Sequence, residues 1–87
     1  MKYSVEFRPE AERDISRLDK VVAQRVLSRI KWLAEHIEDI QLESLQGKRW
    51  KGLFKLRVGD YRILFAVYHN KRLLSVHFVG HRREIYE

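Results

Sequence analysis

Trp50-Lys-Gly-Leu-Phe-Lys-Leu-Arg-Val-Gly-Asp-Tyr-Arg-Ile-Leu-Phe-Ala-Val67 reads as a β-hairpin. Phe54, Leu56 and Val58 alternate with Lys55 and Arg57, the period of two that a half-buried strand requires. Gly59 and Asp60 interrupt the run. Glycine in the first place of a two-residue loop suits a type II′ turn, where φ is positive. Such a loop sets Val58 opposite Tyr61, Arg57 opposite Arg62 and Phe54 opposite Phe65. One face of the hairpin is then apolar and the other cationic. Like charges directly opposite on a sheet face repel, so the arginine pair requires full solvation or an anion between its members. A phosphate meets that need.

Outward from the hairpin, the chain has no Pro/Gly/Ser-rich linker and no internal repeat, so residues 1–87 form a single domain. A chain this short buries only about 60% of its unfolded surface. It contains no cysteine, which removes disulfides and thiolate metal sites from consideration. The first residues alternate rather than build an apolar leader, and no run reaches membrane-spanning length, so the expectation is a cytoplasmic protein without a membrane partner. Eighteen Lys and Arg against twelve Asp and Glu leave a net charge of +6, which favours anionic partners. The bases are unevenly placed: Lys48, Arg49, Lys51, Lys55, Arg57 and Arg62 stand against Asp60 alone between residues 48 and 62. His81, Arg82 and Arg83 add a second cluster.

Tyr3, Val5 and Phe7 alternate with Ser4 and Glu6 as a first strand, and Pro9 suits the first turn of a helix over residues 9–18. Asp19 suits the N-cap of a second helix, whose stripe Val22, Val26, Ile30, Leu33 and Ile37 steps by fours and threes. Residues 38–48 carry no periodicity that assigns them. After the hairpin, residues 69–72 read as a turn, and Leu74, Val76 and Phe78 alternate with Ser75, His77 and Val79 in a last strand. The order β-α-α-β-β-β predicts an α+β fold, an antiparallel sheet packed against an N-terminal helical hairpin.

Trp50-x-Gly-Leu-Phe-Lys-Leu-Arg-Val-Gly-Asp-Tyr-Arg-Ile-Leu-Phe, followed by Val79-Gly-His-Arg82 and Glu84-Ile-Tyr86, resembles the RelE branch of the RelE/ParE toxin superfamily over nearly the whole chain. The resemblance implies a type II toxin, restrained by a cognate antitoxin protein, that cleaves mRNA in the A site of the ribosome's 30S subunit. It matches Arg62 to an arginine on the scissile phosphate and Lys55 to a lysine of the same site. It matches Arg82 to the arginine ending the last strand and Tyr86 to a tyrosine that positions the nucleotide. His81 stands where some relatives use a histidine as proton donor, and Glu43 falls roughly where others place a catalytic glutamate. One departure is clear: a further family lysine is replaced by Leu53, with Lys51 the nearest substitute.

Cleavage of RNA by its own 2′-hydroxyl needs a base, an acid for the leaving 5′-oxygen and cations for the charge on phosphorus. Lys55, Arg62 and Arg82 supply charge, but arginine is a poor proton carrier. The acid is therefore His81 or Lys55, and the base Tyr86, Glu43 or water. No metal and no cofactor is required. Lys48, Arg49, Lys51, Arg57 and Arg83 read as RNA-backbone contacts. Two rival readings stand beside this one: a ParE-like inhibitor of DNA gyrase, and a basic binding module without catalysis.

Overall fold

The computed structural model describes residues 3–85. Strand β1 (Ser4–Phe7) leads into helices α1 (Pro9–Ser16) and α2 (Lys20–His36), then a two-residue strand β2 (Glu43–Ser44) and a 3-10 turn (Lys48–Trp50). Strands β3 (Phe54–Val58), β4 (Tyr61–Tyr68) and β5 (Leu73–His81) complete one sheet of order β1-β5-β4-β3-β2.

The hairpin forms as its sequence dictates, with Val58 opposite Tyr61, Arg57 opposite Arg62 and Phe54 opposite Phe65. Gly59 takes φ +59° while Asp60 stays out of the positive region, the pattern of a type II′ turn. The stripe of α2 is also as read: Val26, Ile30, Leu33 and Ile37 are buried and Val22 packs against them. This stripe meets Val58, Ile63, Phe65, Leu74, Val76 and Val79 from the sheet. Helix α1 stops at Ser16, and its last turn tightens as the amides of Arg17 and Leu18 reach back to the carbonyls of Asp14 and Ile15. Asp19 occupies the N-cap position of α2, without a side-chain cap bond.

Three features correct the sequence reading. The sheet is mixed rather than antiparallel, because β1 runs parallel to β5, Val5 beside Leu74 and Phe7 beside Val76. That direction lets the chain leave β1 over the far half of β5: Arg8 donates its amide to the Val76 carbonyl, and Asp14 of α1 accepts the Val79 amide at 3.0 Å. The unassigned stretch contributes β2, which pairs Glu43 with Lys55. The alternation of β5 breaks at His77. Val76 pairs with Phe65 and Phe78 with Leu64, so His77 is the extra residue of a β-bulge. Leu74, Val76 and Val79 consequently face the helices, whereas Phe78 turns to the other side.

Candidate functional site

The sheet face away from the helices is divided. Over its β4–β5 portion Leu53, Leu64 and Ala66 are buried under Leu45, Trp50, Phe78 and Ile85, a second small core. Trp50 meets Phe78 edge-on at 6.2 Å and 87°, which makes it an anchor of this cover. The cationic surface is therefore a margin of the face and not the whole of it, since apolar Leu64 and Ala66 on a central strand must be shielded from water.

On that margin the register collects Lys55, Arg57 and Arg62. Strand β2 brings Glu43 in beside them: its Oε2 lies 3.1 Å from Lys55 Nζ and 3.6 Å from Arg57 Nη2. The Arg62 guanidinium folds over the hairpin turn, Nη1 donating to the carbonyls of Gly59 and Tyr61, each at 2.9 Å. Arg82 joins the same turn from beyond β5. Its amide donates to the Asp60 carbonyl at 2.8 Å, and its Nε lies 3.7 Å from Asp60 Oδ1. Four cations and Glu43 thus line the tip and the β2 side of the hairpin, all solvent-accessible. Guanidinium and ammonium groups so gathered have the donors to hold a phosphate while keeping a carboxylate at hand.

Other expected residues lie elsewhere. His81 pairs with Tyr61 in the β4–β5 ladder, and Tyr61 shares the strand parity of Ile63 and Phe65, which face the helices. Without the His77 bulge, simple alternation would set His81 on the side of Ser75 and Lys55; the extra residue reverses it. Leu53 is buried in the second core and its carbonyl accepts the Leu45 amide, so the position offers no cation to solvent. Lys51 does not replace it, because β3 begins at Phe54 and Gly52, at φ +83°, breaks the parity between them. Lys48, Arg49 and Lys51 are exposed on the loop that covers the second core, Arg49 stacked 4.8 Å above the Trp50 ring. Arg83 is exposed in the turn after β5, where its amide donates to His81 Nδ1 at 3.2 Å. Tyr86 lies outside the described residues. Tyr61, Asp14 and Arg17, which line a cleft with His81, had no sequence signal beyond their places on a strand and a polar helix face.

Comparison with known proteins agrees with this architecture. The chain is similar to an Escherichia coli protein named as a RelE-like toxin, 28% identical over 82 residues that cover 94% of this chain and 85% of that one. In fold it is similar to the Mycobacterium tuberculosis RelBE2 toxin-antitoxin complex, with a TM-score of 0.83, 24% identity and coverage of 97% and 95% of the two chains. It is also similar to a mutant of the E. coli toxin RelE in the free state, with a TM-score of 0.77, 23% identity and coverage of 99% and 90%. The family model described as the ParE toxin of the type II toxin-antitoxin system parDE matches residues 5–86. With that match over almost its entire length, the chain belongs to the ParE toxin family of type II toxin-antitoxin systems.

Proposed function

We propose that this toxin is an mRNA endoribonuclease of the RelE type, acting in the ribosomal A site. The observation that carries the reading is the Glu43–Lys55 pair at 3.1 Å on an exposed sheet margin shared with Arg57 and Arg62. Ionic pairs at such exposure contribute little to stability, so holding four charged groups together is better explained by a ligand than by folding.

In the proposed reaction Arg57, Arg62 and Arg82 hold the scissile phosphate. Glu43 accepts the proton of the 2′-hydroxyl as the O2′–P bond forms. Lys55 gives a proton to the leaving 5′-oxygen as the P–O5′ bond breaks, leaving a 2′,3′-cyclic phosphate and a 5′-hydroxyl. Transfer from the Glu43 carboxyl back to the Lys55 amine, across the same short contact, resets both groups. His81 takes no part in this scheme, because the bulge turns it to the other side of the sheet. The partner is a cognate antitoxin, a reading supported by the fold's likeness to chains solved in toxin-antitoxin complexes.

The test is primer extension on actively translated message with the full-length chain, in EDTA where the ribosome stays intact. Discrete cuts, abolished by Lys55→Ala or Arg62→Ala, are expected. Intact message together with inhibited DNA supercoiling would transfer the assignment to a gyrase inhibitor, the second reading. The match to the ParE family model and the burial of Leu53 favour that alternative.

A further inference from the structure

The side of the sheet to which His81 is turned carries a polar cleft of about 330 Å³, between the end of α1 and the ends of β4 and β5. This is within the size range of small-ligand sites. Tyr61 and His81 form an aromatic corner, ring centroids 5.5 Å apart and planes at 80°. Arg17 and Glu84 flank it. Asp14 also lines it, fixed by the bond that its Oδ2 accepts from the Val79 amide. His81 Nδ1 already accepts the Arg83 amide, so the neutral ring carries its hydrogen on Nε2 and presents a donor. The cleft thus combines an aromatic surface with donors from Arg17 and His81 and acceptors from Glu84 and Asp14. Heteroaromatic bases present that mixture on their edges and stack on such rings.

Its position is as informative as its lining. Tyr61 directly follows the Gly59 and Asp60 turn, where the Arg62 and Arg82 side chains are gathered, and His81 directly precedes Arg82. Tyr61 and His81 point to the opposite face from Arg62. The Arg62 guanidinium nevertheless bonds the Gly59 and Tyr61 carbonyls and Arg82 reaches Asp60, so a phosphate held by them sits at the hairpin tip that borders the cleft. We propose that the cleft is a nucleobase pocket that receives the base of the nucleotide next to that phosphate and makes binding depend on base identity. This inference rests on RNA as the ligand of the arginine cluster, but not on its being cut.

The test uses the full-length chain and non-cleavable 2′-deoxy tetranucleotides, one series for each base and one abasic at the second position. Fluorescence anisotropy is expected to show at least a ten-fold preference for one base over the abasic oligonucleotide. In Arg17→Ala and His81→Leu the preference should fall to within about two-fold, with abasic affinity unchanged. No preference in the unaltered protein, or a preference that survives both substitutions, overturns the proposal. A free nucleoside monophosphate that binds as tightly as the oligonucleotide, with the same shifts of the Tyr61 and His81 ring resonances, also overturns it by assigning the cleft to free nucleotides. Arg17 is exposed at the C-cap of α1, so its variant reports on the pocket even if substitutions in the strands disturb folding. Base preference in a protein that cuts no message would keep this inference and sink the nuclease assignment. Cuts without base preference would do the reverse.

Discussion

The two faces of one sheet use the same strands for opposite ends. Toward the helices, Phe65, Ile63, Leu74 and Val76 are sealed beneath α2 in a continuous core. On the other face the buried hydrophobic residues, among those described, are Leu53, Leu64 and Ala66, under the loop of residues 45–50, Phe78 and Ile85, and charge occupies the margin beside them. Stability is therefore concentrated on one side, which leaves the other free to hold repelling cations together. In a protein this small the division is economical, because the site borrows its rigidity from strands whose backs are already fixed.

The sharpest way to break this comparison is to create a cavity on each side. Phe65→Ala is expected to destabilise by about 3–5 kcal/mol and Leu64→Ala by about 2–3 kcal/mol, near the lower end for a buried leucine. Denaturant unfolding measures both, and an equal or larger loss at Leu64 would mean that the second core is no mere cover. At the margin, Lys55→Ala and Arg62→Ala are each expected to slow cleavage by about 10²–10³-fold while shifting stability by about 1 kcal/mol or less. Rapid single-turnover measurements alongside thermal unfolding separate these effects, and a variant that merely unfolds would refute the division of labour.

The bulge supplies a pH test. Burial, and secondarily the Arg8 charge, lowers the pKa of His77 from its usual 6.5. The unfolded chain therefore takes up this proton before the folded one as pH falls. Stability from this group is complete above about pH 6.5 and declines on acidification toward the lowered folded value. His77→Gln should flatten that part of the stability–pH curve, and an unchanged slope between wild type and variant would contradict it. The smallest effect is expected at Arg72, at φ +50° in the turn before β5. Arg72→Gly relieves the left-handed backbone and should change stability by less than about 1 kcal/mol in either direction, since glycine's greater unfolded-state freedom opposes the gain.

Most of the hairpin and both helices were legible because each has a local cause: period two around Gly59 and Asp60, and a stepped apolar stripe in α2. The arginine pair followed from the turn alone. What is not legible in the sequence depends on partners distant along the chain. Two residues, Glu43 and Ser44, carry no period, and strand β2 exists only because β3 offers it an edge. The parallel course of β1 is equally invisible, since alternation says nothing of direction. The placement of Glu43 beside Lys55 was thus only loosely foreshadowed, and that of His81 could not be extrapolated along β5. A hint was present in the adjacent large apolar residues Phe78 and Val79, which cannot both lie on one face of a regular strand.

The extra residue at His77 also bears on how relatives of this toxin should be matched and altered. Counted forward from Leu74, His81 belongs with one set of side chains; counted back from the end of the strand, with the other. An alignment that slides a one-residue gap across this point will equate positions whose side chains lie on opposite faces of the sheet. Conversely, a single insertion or deletion here offers a short mutational path by which a toxin can exchange the residues of its cationic side for those of its back.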